Sequence, residues 1–246
     1  MTIHAYSSAT DAARSLVGRI LQVVDGFPAQ RTVGIALSGG STPALLFRLW
    51  AEESGGRTPW KRIRLFWVDE RCVPPTDPES NYGMTKKNLL DKIPIPETNV
   101  LRIKGEDDPE EEALRYALQA EALLDEEEGC PKFDIVLLGI GEDGHTASIF
   151  PGQEHLLTDR RTYAVGIHPA SGRKRITLTG RPLLRAGHLF FLAAGETKKQ
   201  ALAALHGLSD SVPAAYVAHH ARHDVEVFAD RNAAPLLPEA DRGPLP

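Results

Sequence analysis

The sequence predicts an α/β fold: a doubly wound, mostly parallel sheet with helices on both faces. Three observations predict it. Apolar runs alternate with segments of helical period along most of the chain. Several runs, such as Ile135-Val136-Leu137-Leu138, are apolar at consecutive positions, as strands buried on both faces are. Glycines or charges follow three of these runs directly, which sets functional groups at the carboxyl edge of the sheet, where open α/β folds bind ligands.

Taken in order, Asp11 to Val24 repeats Leu16, Val17, Ile20, Leu21 and Val24 with a helical period. Arg31 to Leu37 reads as a short buried strand, followed by Ser38-Gly39-Gly40-Ser41-Thr42-Pro43. Pro43 suits the first turn of a helix that runs to Trp50. Ile63 to Val68 is a second strand, ending at Asp69-Glu70-Arg71. Asn81 to Leu90 reads as a helix and Val100 to Ile103 as a short strand. Pro109 to Glu128 reads as one helix; acids at its start suit the helix dipole, while Asp125 to Glu128 oppose it and read as a solvated face. Phe133 to Leu138 is the central strand. Tyr163 to Ile167, Arg175 to Thr179, Leu189 to Ala193 and Asp224 to Phe228 are further strands, with a helix over Glu196 to His206. No repeat or linker interrupts residues 1–246, which read as one domain with a proline-rich, candidate disordered tail over 235–246.

Composition narrows the function classes. With 42% hydrophobic and 25% charged residues, 246 residues suffice for a sizeable core. A net charge of −5 disfavours a nucleic-acid surface, so an anionic ligand must be met by a local cluster of Arg and Lys. Cys72 and Cys130 suggest no disulfide framework. Met1 to Ser8 is mixed and polar rather than a leader, and no apolar run approaches the ~20 residues of a membrane span. The expectation is a cytoplasmic protein with no membrane or nucleic-acid partner.

The loop Gly139-Ile140-Gly141-Glu142-Asp143-Gly144-His145 carries most of the chemistry. His145 beside Asp143, which can orient it, has the parts of a general base. The letters Gly139-x-Gly141-x-x-Gly144 also match a dinucleotide fingerprint, but Glu142 and Asp143 inside the loop would repel a diphosphate, and Asp159 does not end a second strand. Ser38-Gly39-Gly40-Ser41-Thr42, between a strand and a helix, offers backbone N–H groups and hydroxyls to an anion. It lacks the Gly-Lys-Ser/Thr ending of a nucleotide triphosphate loop, and no Gly-x-Ser-x-Gly elbow marks a serine nucleophile. A sugar monophosphate fits this loop better.

Asp69-Glu70-Arg71 directly after an apolar strand needs a cleft or partners; Arg71 is a candidate for a phosphate or an oxyanion. Lys198, in a first helical turn, is disfavoured there by the dipole unless an anion is bound. Arg173-Lys174-Arg175 adds positive charge. His219, His220 and His223 raise a metal question, but they fall in an expected loop without a carboxylate framework. Cys72, next to Arg71, is a candidate for a lowered pKa, with plain packing the simpler reading.

Together these stretches resemble the 6-phosphogluconolactonases of the oxidative pentose phosphate pathway. The matching residues are Ser38-Gly39-Gly40-Ser41-Thr42-Pro43, Val68-Asp69-Glu70-Arg71-x-Val73-Pro74 with Ser80-Asn81, and Gly139-x-Gly141-x-Asp143-Gly144-His145-Thr146-Ala147-Ser148-Ile149-Phe150-Pro151. Arg175-Ile176-Thr177-Leu178-Thr179 and Gly195-x-x-Lys198 follow in order. The resemblance implies a Rossmann-like fold shared with glucosamine-6-phosphate deaminases and a monomer. It also implies hydrolysis of 6-phospho-D-glucono-1,5-lactone to 6-phosphogluconate without cofactor or metal. One departure is His168-Pro169-Ala170-Ser171-Gly172-Arg173-Lys174, where the family has a Lys-Pro-Pro-like run.

On this reading His145 takes a proton from water and returns it to the departing ring oxygen. Asp143 or Asp69 orients the ring, and Arg71 or the glycine-loop N–H groups hold the oxyanion. Ser38 to Thr42, Lys198 and Arg175 grip the phosphate, with Glu70 among the substrate contacts. Two rivals remain: a sugar-phosphate isomerase-deaminase, disfavoured by Arg71 and by Ile149-Phe150-Pro151, and a non-catalytic phosphosugar sensor, for which no basic DNA-binding segment is visible.

Overall fold

The structure, a computed structural model, describes residues 1–207 and 209–238. Residues 239–246 of the expected tail lie outside the described residues. Six strands form the central sheet: β1 (Thr2–Tyr6), β2 (Val33–Leu37), β3 (Ile63–Trp67), β7 (Ile135–Gly139), β10 (His188–Ala193) and β11 (Asp224–Asp230). Their order is β1-β11-β10-β7-β2-β3, and every pairing is parallel. From β2 the chain adds β3 on one side, then returns through β7, β10 and β11 on the other. The winding therefore reverses between β2 and β7, and a crevice opens beyond their carboxyl ends.

A second, antiparallel sheet has the order β4-β9-β8, from β4 (Asp69–Arg71), β8 (Tyr163–Ile167) and β9 (Lys174–Leu178). The sequence reading had Asp69 to Arg71 as the end of the second strand; the chain instead leaves the central sheet at Val68 and starts a new pairing. The short loop His168–Arg173 joins β8 to β9, and so short a connection allows only antiparallel neighbours. A small antiparallel pair, β5 (Asp125–Glu126) with β6 (Pro131–Lys132), completes the strands.

The helices are α1 (Ala9–Gly26), α2 (Ser41–Leu49), α3 (Asn81–Asn88), α4 (Pro109–Leu123), α5 (His155–Thr158), α6 (Gly180–Leu183), α7 (Lys199–His206) and α8 (Pro213–His220). All five residues of β2 are buried, so the sheet is covered on both faces. The apolar stripe of α1 (Leu16, Val17, Ile20, Leu21 and Val24) is buried, and the helix packs against α2, β1, β10 and β11. Ser8 caps α1 by accepting the Asp11 N–H, worth about 0.5–2 kcal/mol for such a cap. Helix α4 packs on β8 and β9 and reaches β3 through Tyr116. The Tyr116 hydroxyl accepts the Trp67 N–H (2.9 Å) and donates to the Leu101 carbonyl (2.5 Å). Phe66 stands edge-on to Phe133 at 5.4 Å, which locks β3 against the start of β7.

Several boundaries differ from the sequence reading. The helix from Pro109 stops at Leu123 rather than Glu128, so the acids at 125–128 are not on its carboxyl end. They meet cations instead: Asp125 with Arg31 (2.7 Å), Glu127 with Lys132 (2.5 Å) and Glu128 with Arg222 (2.7 Å). Val100 makes a single bridge to Leu65 in place of a strand over Val100 to Ile103. The polar opening Thr2–Tyr6 forms edge strand β1, and of the histidine stretch expected in a loop, His219 and His220 end the alanine-rich helix α8 while His223 lies beyond it.

Candidate active site

A cleft of about 200 Å³ opens at the reversal point, beyond the carboxyl ends of β2 and β7. Its walls are the loop after β2 (Ser38 to Pro43), the loop after β7 (Gly139 to Ala147), and Asp69, Arg71 and Arg175 from the second sheet. Asn81, Leu192 and Lys198 complete the lining.

In the loop after β7, His145 Nδ1 lies 2.6 Å from Asp143 Oδ1, and the same oxygen accepts the His145 backbone N–H at 3.1 Å. Asp143 thus fixes both the ring and the turn that presents it. Burial opposes ionisation of Asp143, but the two hydrogen bonds and the charge of His145 together hold its carboxyl below the ordinary 3.8. With Nδ1–H donating to Asp143, the neutral ring turns an Nε2 lone pair outward, as a general base requires. Asp69 does not orient this ring: its Oδ2 accepts the Ser148 hydroxyl (2.6 Å) and its Oδ1 the Asn81 amide (3.3 Å). A Cβ at Gly141 would overlap His145 Nδ1 and Asp143 Oδ1, so the pair closes only over glycine. Ala147, also in the lining, holds φ at 51°, a strained value for a residue with a side chain.

In the loop after β2, Gly40 has φ 108° and caps α2 without any side-chain hydrogen bond, leaving the first-turn N–H groups open to an anion. A Cβ at Gly39 would overlap the Asn81 amide, so glycine lets this loop lie against α3. Ser38 is present in the wall, but its hydroxyl donates to the Leu137 carbonyl (2.8 Å) and ties β2 to β7. Lys198 reaches the cleft from the 3-10 turn Glu196–Lys198 ahead of α7, with no ion pair among the described residues.

The second sheet supplies two arginines from paired strands, since Arg71 and Arg175 are register partners. Arg71 Nε, Arg175 Nε and Asn81 Oδ1 are buried without a hydrogen-bond partner, and all three residues line the cleft. Unsatisfied buried polar atoms are rare, and their convergence on one cavity is what a polar ligand would answer. Desolvation lowers the pKa of Arg175, and Asp69, 4.0 Å away, opposes it.

Glu70 is not in the cleft, contrary to the sequence reading. It is 2% exposed and accepts the N–H groups of Arg71, Asn81 and Tyr82 at 2.7–2.8 Å and the Ser80 hydroxyl at 3.0 Å. Burial raises its pKa above 4.5 against the pull of those donors. Its carboxylate anchors the start of α3 and thereby positions Arg71 and Asn81. Of the basic run, Arg175 faces the cleft, Arg173 pairs with Glu79 (2.8 Å) and Lys174 is not in the lining. Burial pushes the Cys72 thiol up to about 11, which removes it as a reactive group. His219 and His220 both meet Asp210, while His223 turns to Glu127. Among the described residues no His, Cys, Asp and Glu gather as metal ligands.

Residues 7–227 match the family described as glucosamine-6-phosphate isomerases/6-phosphogluconolactonase. The chain belongs to this family. Among relatives of the glucosamine-6-phosphate isomerase/6-phosphogluconolactonase family, a 6-phosphogluconolactonase of Treponema pallidum (strain Nichols) is 43% identical over 194 residues. The match covers 78% of this chain and 80% of that protein. The solved structure of 6-phosphogluconolactonase from Trypanosoma cruzi is 31% identical with a TM-score of 0.87, covering 96% of each chain. A monomeric glucosamine-6-phosphate deaminase, 24% identical, superposes with a TM-score of 0.78 over 96% of this chain and all of that one, which shows a shared fold.

Within this family frame, sequence reasoning missed residues that act through others. Asn81 lines the cleft and joins Asp69 to the glycine loop. Ser148 bonds Asp69, and its N–H donates to Thr177 Oγ1 (3.0 Å), linking the His145 loop to β9. Phe150 packs on His145 at 4.5 Å. All stood in the quoted motifs, but only pairing across the second sheet brings them together.

Proposed function

We propose that this chain hydrolyses 6-phospho-D-glucono-1,5-lactone to 6-phosphogluconate by metal-free general-base activation of water, as a monomer in the cytoplasm. The observation that carries the reading is that His145, held 2.6 Å from Asp143, lines the same cleft as Arg71, Arg175 and Lys198. The 6-phosphogluconolactonase names of the relatives support it.

The phosphate is held by the open N–H groups at the start of α2 and by Lys198. That remote grip positions the lactone carbonyl. His145 Nε2 takes a proton from water as the water oxygen attacks the carbonyl carbon. Charge on the carbonyl oxygen is met by Arg71 or Arg175, whose Nε–H groups lack protein partners. The tetrahedral adduct collapses, the bond from carbon to ring oxygen breaks, and protonated His145 returns its proton to that oxygen. The new carboxylic acid then ionises. General acid–base help of this kind is worth ~10²–10⁴-fold.

The test is turnover of freshly generated lactone, corrected for its spontaneous opening, alongside ammonia release from glucosamine 6-phosphate. Lactone opening above background without ammonia supports the reading. Ammonia release marks an isomerase-deaminase, and tight phosphogluconate binding with neither reaction marks a sensor.

A further inference from the structure

We propose that Asp230, at the carboxyl end of β11, is a positioning residue for the phosphate grip: its carboxylate fixes the turn that brings Lys198 to the cleft. The inference rests on the reading that Lys198 meets the phosphate of a phosphosugar.

The first support is where the sheet pairing ends. Strands β10 and β11 run in register up to Ala193 and Ala229, and β10 stops there. The chain then turns away through Gly195, and its backbone N–H groups leave the ladder. A half-buried N–H still needs an acceptor. Asp230, one residue past the last pair, supplies it: its Oδ1 accepts the Gly195 N–H at 3.0 Å. A side chain thus continues the β10–β11 pairing where the two backbones part.

The second support is what Gly195 carries. Its φ of 93° swings the chain out of β10, and its carbonyl accepts the Lys198 N–H (3.1 Å), which closes the 3-10 turn Glu196–Lys198. Asp230 holds one side of Gly195, and Gly195 holds Lys198 with the other. Lys198 lines the cleft and Asp230 does not, so Asp230 acts through the turn. A lysine ammonium rides on a flexible four-carbon stem, so the place of its backbone decides which points it reaches.

The third is that Asp230 is itself held. It is 3% exposed, and the same Oδ1 accepts the Ala233 N–H at 2.9 Å. The next residue, Arg231, donates its N–H to the Tyr6 carbonyl of β1 (2.9 Å). The carboxylate therefore stands on the sheet edge and on the turn after β11. Small shifts of such a support matter, because a misplacement of about 1 Å from a remote change can cost about 10²-fold.

The test is a double-mutant cycle on KM for 6-phosphogluconolactone, with wild type, Asp230→Ala, Lys198→Met and the two combined. Asp230→Ala is expected to raise KM by at least about 5-fold, short of the ~10–150-fold worth of the Lys198 charged hydrogen bond, with kcat held within about twofold. In the Lys198→Met background the same change is expected to add no more than about twofold, the scatter of such cycles. KM for unphosphorylated gluconolactone is expected to stay put. Asp230→Asn keeps Oδ1 as an acceptor and is expected to keep the wild-type KM. The proposal is overturned if the effect of Asp230→Ala persists in the Lys198→Met background, falls equally on both lactones, or is matched by Asp230→Asn. Should Asp230→Ala fail to fold, Gly195→Ala runs the same cycle. A Cβ there would meet nothing within 4 Å, so its strain falls on the turn alone, and an unmoved KM overturns the proposal. The two levels separate cleanly: Lys198→Met without effect on the phosphorylated lactone faults the reading of Lys198 and the proposal with it, whereas a large Lys198→Met effect with additive variants faults Asp230 alone.

Discussion

Glu70→Gln is nearly isosteric and removes one acceptor oxygen from a carboxylate that now receives four donors. Oε1 accepts the Arg71 and Asn81 N–H groups, and Oε2 accepts the Tyr82 N–H and the Ser80 hydroxyl. In the best orientation the glutamine oxygen keeps Arg71 and Asn81. Its NH₂ then faces the Tyr82 N–H, and Ser80 can rotate to accept. One backbone N–H is left buried without a partner, at about 1–3 kcal/mol, which lowers Tm by about 2–12 °C for a chain of this size. Thermal unfolding measures the loss directly. Because Arg71 and Asn81 hang from this anchor, kcat/KM for the lactone falls as well. If Glu70 instead contacts substrate, KM rises while Tm stays put. An unchanged Tm refutes the anchoring argument.

Asp143→Asn is expected to cost about 10² in kcat, because the His145 ring loses its fixed direction. In the wild type the Asp143 carboxyl titrates below 3.8, so the stability that its ionisation contributes is complete above that value. That contribution is lost only as pH falls through the depressed folded value, and acid unfolding curves of wild type and variant should therefore converge at low pH. Lys198→Met is expected to raise KM for the phosphorylated lactone by about 10–150-fold, the worth of a charged hydrogen bond, without affecting unphosphorylated gluconolactone. Equal effects on both lactones would remove Lys198 from the phosphate. Gly39→Ala forces a methyl into the Asn81 amide and is expected to destabilise by about 1–3 kcal/mol while lowering kcat/KM; denaturant unfolding and steady-state kinetics check both.

The parallel sheet was legible because apolar runs such as Val33 to Leu37 and Ile135 to Leu138 report burial on both faces without any knowledge of partners. The glycine loops and the Asp143–His145 pair were legible because their geometry is local: a two-residue spacing closes one turn. Glu70 was not legible. A carboxylate at the end of an apolar strand reads the same whether it faces ligand or backbone, and three of its four donors lie ten or more residues on. Nor could the sequence show that Asp69, Glu70 and Arg71 leave the central sheet, because antiparallel pairing with β9 is a contact across more than 100 residues. Strand β1 escaped notice because Thr2–Tyr6 lies on the sheet edge, half-covered, without the continuous apolar signal of the inner strands.

The most direct measurement is hydrolysis of freshly generated 6-phosphogluconolactone by wild type and by His145→Asn, with chelator present and the spontaneous rate subtracted. The general-base account predicts fast wild-type turnover in chelator and a fall of at least ~10²-fold in the variant. Full activity in His145→Asn, or loss of wild-type activity in chelator, would contradict it.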